Sequence, residues 1–172
     1  DVWCWGQVPV IRSESVTEEQ WSQAASQVEP GRLSFDISFT KVAIGSQLCA
    51  VSAQSAVWCF VVDQGWIEQV GLGQVSALEG AFDTQLNGFQ CALAQGQVWC
   101  WGTLNSEGQL GAGFFDTAVQ QPRQVRALEE AQRLTLTPTN ACAYAQDRWQ
   151  CWGRALDNEH DNARLYPVTR VY

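Results

Sequence analysis

The sequence predicts an all-β protein made of β-propeller blades, on three observations. A tryptophan-cysteine motif recurs as VWCWG (2–6), VWCFV (57–61), VWCWG (98–102) and WQCWG (149–153). The last three copies each follow an earlier cysteine: Cys49 before Cys59, Cys91 before Cys100, Cys142 before Cys151. Between the copies, β-favouring runs and turn-like breaks alternate roughly every 8–15 residues, within a repeat of about 40–55 residues. Short strands at that spacing and period are the pattern of propeller blades. The 172 residues then form one partial propeller domain of about three to three and a half repeats, part of a ring. The approximate repeat bounds are 2–56, 57–97, 98–148 and 149–172.

Each cysteine pair defines a hairpin. If Cys91 faces Cys100 in an antiparallel pair, Ala94 faces Gln97, and Gln95-Gly96 remains as a two-residue turn. Glycine supplies the positive φ such turns need. Alternation outward from the turn makes the cysteine site a non-hydrogen-bonded one, where Cα atoms approach to about 4.5 Å. A disulfide tolerates about 4.4–6.8 Å. Cys142 and Cys151 repeat this parity around Gln146-Asp147. Cys49 and Cys59 enclose a three-residue loop, Ala53-Gln54-Ser55. Three cross-strand disulfides are the natural reading, with reduced structural thiols or metal and redox chemistry as the alternatives. Zinc sites want closer cysteine pairs, often with histidine. The chain has one histidine, His160, and no C-x-x-C. Such disulfides imply an oxidising compartment: extracellular, cell-surface or periplasmic. By the same hairpin rule Cys4 is unpaired, its partner outside the chain.

The elements follow in order. After the strand 2–6 comes an expanded loop, 7–31. Within it TEEQWSQAASQV (17–28) reads as a helix: Thr17 caps it, and Trp21, Ala24 or Ala25, and Val28 share a face. KVAIGSQLCAV leads into the first stapled hairpin. The second repeat is compressed: VWCFVV, DQGWIEQVGLG, QVSAL, AFDTQL, QCALA. The third carries a long loop, TLNSEGQLGAGFFDTAVQQ, before PRQVRAL, AQRLTLT and ACAYA. The fourth ends at YPVTRVY, read as one strand of a blade whose next two strands are missing. The chain also lacks methionine and any signal pattern. It is therefore expected to be a processed or excerpted piece of a longer chain, or one part of a multi-chain assembly.

NSEGQLGAG, the P-x-x-V of Pro122 and Val125, KVAIGSQLCAV and VWCWG together resemble the repeats of the regulator of chromosome condensation family. Asn105, Gly108, Gln109, Leu110, Gly111 and Gly113 fit that family's N-x-x-G-Q-L-G-x-G loop. The second repeat keeps only Gln69, Gly71 and Gly73 of it, and the first and fourth have lost it. The resemblance implies one four-stranded blade per repeat of about 50 residues, usually seven blades to a ring. The stapled form resembles secreted bacterial members more than the nuclear regulator.

Composition bounds the function. Hydrophobic residues make up 46% and charged residues 16%, a globular balance. No apolar run approaches the ~20 residues of a membrane helix. A net charge of −8, with Lys41 the one lysine, opposes nucleic-acid binding. Arg123, Arg126 and Arg133 are the candidates for a local basic patch. GQLGAG is followed by Phe114-Phe115 rather than the G-K-[ST] of a phosphate loop, so its glycines read as turn glycines. Trp3, Trp5, Trp99 and Trp101 alternate with cysteine along their strands and are expected to pack between blades. Trp21, Trp66, Phe114 and Phe115 are the candidates for partner contact, with carbohydrate stacking an alternative for the two tryptophans. Asp157, Glu159, His160 and Asp161 are the candidates for a cation site, though a solvated loop suits consecutive ligands better. No nucleophile elbow and no facing pair of carboxylates is present, so no catalytic residue, metal or cofactor is expected.

The expected function is a protein-interaction module. A rigid propeller frame would present the variable loops 7–31, 63–73, 103–121 and 154–165 to a protein partner, or to other segments of the parent chain. Loop residues 13–28 in particular are expected to contact a partner or a neighbouring blade. An enzyme inhibitor of the propeller type is the alternative, since a propeller inhibitor of β-lactamases resembles this family. A small-GTPase exchange factor, the family's founding activity, fits the acidic charge and the disulfides less well.

Overall fold

The computed structural model describes residues 2–6, 27–33, 37–61, 64–83, 85, 87–115, 118–154 and 164–169, with the backbone course alone in the first two and the last of these segments. All regular structure among them is β. The strands are β1 Val2–Gly6, β2 Gln27–Leu33, β3 Phe39–Ile44, β4 Leu48–Ser52, β5 Val57–Val61, β6 Gly65–Glu68, β7 Val75–Phe82, β8 Gly88–Ala94, β9 Gln97–Gly102, β10 Val119–Gln124, β11 Ala131–Leu136, β12 Asn140–Ala145, β13 Arg148–Gly153 and β14 Arg164–Thr169.

Three of the sheets are four-stranded antiparallel meanders in chain order: β3 to β6, β7 to β10, and β11 to β14. They are the blades of a β-propeller, here blades II, III and IV. A fourth sheet holds β1 and β2 alone. The first strands of successive blades are neighbours, β3 beside β7 and β7 beside β11. The fourth strands β6, β10 and β14 therefore form the outer edges. VWCWG and its relatives are the third strand of each blade, so the most visible sequence repeat starts two strands into a blade.

Two expectations change. Gln27 and Val28, the end of the expected helix, open β2, where the Gly6↔Gln27 pairing draws them into a ladder. Backbone pairing there overrides a weak helical pattern. Residues 17–26 lie outside the described residues. At the other end β14 pairs back onto β13, with Cys151 opposite Val168 and Gly153 opposite Arg164. Residues 166–169 of YPVTRVY thus lie in the fourth strand of blade IV rather than forming one strand of a blade whose next two are missing.

The second strands of blades II and III are covered on both faces. β4 (LCAVS) and β8 (GFQCALA) are buried at every position. Blade III, packed between blades II and IV, has no solvent face at β8, so alternation gives way to continuous burial, and alanine and cysteine let the sheets approach. The large side chains of the core, Phe89, Trp101, Trp152, Leu110 and Leu128, are at most 1% exposed.

The hairpins have the expected registers. Cys49 faces Cys59, Cys91 faces Cys100, and Cys142 faces Cys151. Their Cα atoms are 4.0, 4.1 and 4.1 Å apart, and each pair is a disulfide. Gln95 and Gly96 have φ of 51° and 78°, and Gln146 and Asp147 have 52° and 58°. Two successive positive φ values mark the turn type whose twist matches a two-residue hairpin. The first hairpin closes its three-residue loop with Ser52 N–H on the Ala56 carbonyl at 2.8 Å and a positive φ at Ser55.

A bulge recurs near the start of each first strand, between Phe39 and Lys41, Val75 and Ala77, and Ala131 and Arg133. In two blades the extra residue carries a hydroxyl that bonds across the sheet. Thr40 Oγ1 donates to Val51 O and Ser76 Oγ to Leu93 O, each at 3.2 Å. A bulge leaves a main-chain group outside the ladder. At Ser76 its carbonyl accepts Lys41 Nζ from blade II at 2.6 Å, which ties the two blades.

The seam between blades II and III also depends on absent side chains. A Cβ on Gly80 would lie 2.3 Å from Ile44 O, and one on Gly88 2.4 Å from the Gly45 carbonyl carbon. The β3–β4 turn sits in that gap. Above it, buried Gln90 accepts from Ser46 N at 2.9 Å and Ser46 Oγ at 3.0 Å. Its amide nitrogen lies 3.4 Å from Cys49 Sγ, so blade III touches the staple of blade II.

Candidate partner-binding surface

The loop between β9 and β10 is held by hydrogen bonds from its own motif side chains. Asn105 is 2% exposed. Its Oδ1 accepts Leu110 N–H at 3.1 Å, and its Nδ2 donates to Phe114 O at 2.9 Å. Gln109 is 1% exposed. Its Oε1 accepts Glu107 N–H at 2.9 Å, and its Nε2 reaches Pro138 O, in blade IV, at 3.2 Å. Gln109 O accepts the indole Nε1–H of Trp152 at 2.7 Å. Gly111 has φ +60°, and a Cβ there would lie 2.8 Å from that indole nitrogen. The Asn-Gly-Gln-Leu-Gly pattern therefore folds the loop on itself and clamps it to the next blade. It is a framework, as the turn-glycine reading expects. Arg154 and Glu107 add an ion pair at 3.6 Å across the same seam. Both side chains are partly exposed, so its contribution is about 0–1 kcal/mol.

The clamp is missing one blade earlier. Trp101 occupies the position of Trp152, equally buried at 1% exposure. Its Nε1 has no hydrogen-bond partner among the described residues. Blade II would have to supply the acceptor from the connection after β5, and that connection is the compressed one.

Phe114, anchored through its carbonyl, lines a groove of about 510 Å³ with Trp99, Pro122, Arg123 and Arg126. Ala112, Gln121 and Gln124 complete it. Trp99 and Trp101 were both expected between blades. Trp101 is buried in the core, while Trp99 is half-buried and faces this groove. Of the three arginines read as a patch, Arg123 and Arg126 share the groove. Arg133 lies instead in blade IV, its guanidinium 5.9 Å over the Tyr144 ring, which in turn meets Trp149 edge-on at 5.6 Å. Among the described residues Arg123 and Arg126 have no ion-pair partner.

Phe115 is 38% exposed and is not part of the groove lining. Trp66, expected in a loop, stands in β6 opposite Phe60. Its ring lies 4.5 Å from Phe39 and 5.8 Å from Phe60 between centroids, half-buried in an aromatic cluster. Cys4 has its backbone in β1, opposite Gly31; its side chain lies outside the description, as do those of Trp3 and Trp5. Trp21 and the candidate cation ligands Asp157, Glu159, His160 and Asp161 also lie outside the described residues. Among the described residues no group of three or more metal-ligating side chains converges. No helix among them is long and apolar enough to cross a membrane.

The sequence signal for the groove is faint. Trp99 and Arg123 stand more than twenty residues apart, and β10 reaches β9 through a register shift between Val119 and Arg123. No period in the sequence announces that shift.

Residues 95–135 match the model of the Regulator of chromosome condensation (RCC1) repeat. The matched span runs from the Gln95-Gly96 turn through β9, the clamped loop and β10 into β11. It contains every lining residue of the groove. No curated protein matches the chain.

Proposed function

We propose that this chain, a member of the regulator of chromosome condensation repeat family, is an extracytoplasmic protein-interaction module within a larger chain or assembly. The observation that carries the reading is the clamped β9–β10 loop. Two buried amides fix a surface connection internally, so it can offer a preformed face to a partner at little ordering cost. The staples support the compartment. A disulfide stands at the centre of each of three blades, and such bonds persist in oxidising surroundings. The module binds rather than catalyses in this reading.

The test is native purification from the extracytoplasmic fraction of the source cells, with thiol counting and light scattering. The expected result is a stoichiometric complex in which the six hairpin cysteines are oxidised. A chain recovered as a free monomer with reduced hairpin thiols overturns the reading.

A further inference from the structure

We infer that the groove between β9 and β10 is a docking site for an extended acidic peptide of a partner protein, one that places carboxylates on Arg123 and Arg126 and an apolar side chain on Trp99 and Phe114. The inference rests on the interaction-module reading and names the chemistry of its partner.

Charge selects the occupant. The chain carries −8 overall, yet two exposed arginines stand together here with no carboxylate paired to either among the described residues. Glu129 lines the adjoining depression, which shares Gln124 and Arg126 with the groove, but it forms no ion pair with Arg126. A planar guanidinium pair suits carboxylates, which it can grip through two parallel hydrogen bonds each. The overall acidity repels an acidic partner at long range. The recognised segment must therefore make its contacts at short range, with its negative charge confined to the docking stretch.

The apolar floor is preorganised. Trp99 neighbours the stapled Cys100 on β9, and Phe114 is held by Asn105 through its carbonyl. Tryptophan and arginine around a rigid pocket are the residues that dominate binding energy at protein interfaces. The groove is also open, which suits a chain passing through better than a small molecule enclosed. The peptide does not extend the sheet as a fifth strand. β10 is irregular between Val119 and Arg123, and Pro122 within it lacks a backbone donor. Side chains, not a ladder, hold the occupant.

The experiment is fluorescence anisotropy on the oxidised chain. The probe is a fluorescein-labelled peptide of alternating Glu and Phe, compared with Lys–Phe and Glu–Ser versions. The Glu–Phe peptide should bind best, and more weakly at about 0.5 M salt, where exposed charges are screened. The double variant Arg123→Glu/Arg126→Glu should weaken it by roughly tenfold or more, since attraction becomes repulsion. Arg133→Glu/Arg148→Glu makes the same change in net charge on blade IV and should leave binding unaltered. Far-UV circular dichroism and thiol counting verify each fold. Should the glutamate pair fail to fold, Arg123→Gln/Arg126→Gln replaces it, with a loss of about fivefold. Equal loss in the two double variants overturns the inference. So does equal binding of the Lys–Phe peptide, absence of binding by every peptide, or displacement of the peptide by a single-stranded oligonucleotide at lower concentration. A native partner still retained by the Arg123/Arg126 variant removes the groove and leaves the module reading standing. A chain that retains no native partner removes the module reading itself.

Discussion

Replacing Trp152 by phenylalanine should cost more stability than the same change at Trp101, although both indoles are buried to 1% exposure. The two residues hold the same position in successive blades, so both substitutions remove the same ring volume. The difference lies in one hydrogen bond. Trp152 Nε1 donates to Gln109 O at 2.7 Å. Phenylalanine there leaves a buried carbonyl without its donor, a penalty of about 1–3 kcal/mol. Trp101 Nε1 is buried with no partner among the described residues. Phenylalanine there removes a desolvated donor that gained nothing in return, and so recovers part of the volume loss. The two variants should differ by about 2 kcal/mol. Urea denaturation followed by circular dichroism reads this directly. With a slope of about 2.5 kcal/mol per molar, the midpoints separate by about 0.8 M. Equal slopes in both variants show that one transition is being compared. Coincident midpoints, or a lower midpoint for the Trp101 variant, refute the reasoning about the clamp.

Two further outcomes follow from single residues. Asp147 holds φ 58° where the equivalent hairpin has Gly96 at 78°; Asp147→Gly should relieve that conformation and stabilise by about 0.5–1 kcal/mol, a rise of roughly 1–4 °C in Tm by calorimetry, and a fall would count against it. Asn105→Ala removes the two side-chain bonds by which Asn105 holds the β9–β10 loop; it should destabilise by about 2–3 kcal/mol and weaken Glu–Phe peptide binding at temperatures where the fold persists, so unchanged affinity would separate Phe114 from the site.

The staples were legible in the sequence because an antiparallel hairpin leaves few choices. Once the turn residues are fixed, the facing partner of every position is fixed as well, and so is the parity that lets sulfurs meet. The blade architecture was legible because the repeat recurs with its turns. Local competition obscured the rest. Gln27 and Val28 fit a helical face until β1 is available to pair with them. Trp66 sits in a stretch rich in glycine and polar residues, and only packing against Phe39 and Phe60 makes it a strand residue. The groove depends on a register shift, and a shift of that kind changes which side chains meet without changing any local pattern. Arginines 123, 126 and 133 are close in sequence, yet a turn and a change of blade divide them into a groove pair and an aromatic stack.

The repeat and the blade are different units, and the difference explains how one connection can hold a site while another is cut short. The matched repeat begins in the hairpin of blade III and ends in β11 of blade IV, so the repeated sequence spans a seam rather than filling a blade. At the III–IV seam the loop itself is the fastener, through Gln109 and Trp152. At the II–III seam the corresponding loop is short, and other contacts carry the stacking. Glycines admit the β3–β4 turn, Gln90 grips Ser46, and Lys41 reaches the bulge at Ser76. Blade stacking therefore has two independent means of support, one near the inner strands and one at the outer loops. Where the inner contacts suffice, the outer loop is free in length and composition. Where the loop is retained, it is rigid enough to carry aromatic and arginine side chains in a fixed arrangement. A stapled hairpin beside it keeps Trp99 from moving independently of that arrangement. The same construction thus yields a seam that only stacks and a seam that also presents a surface, within one chain and from one repeat.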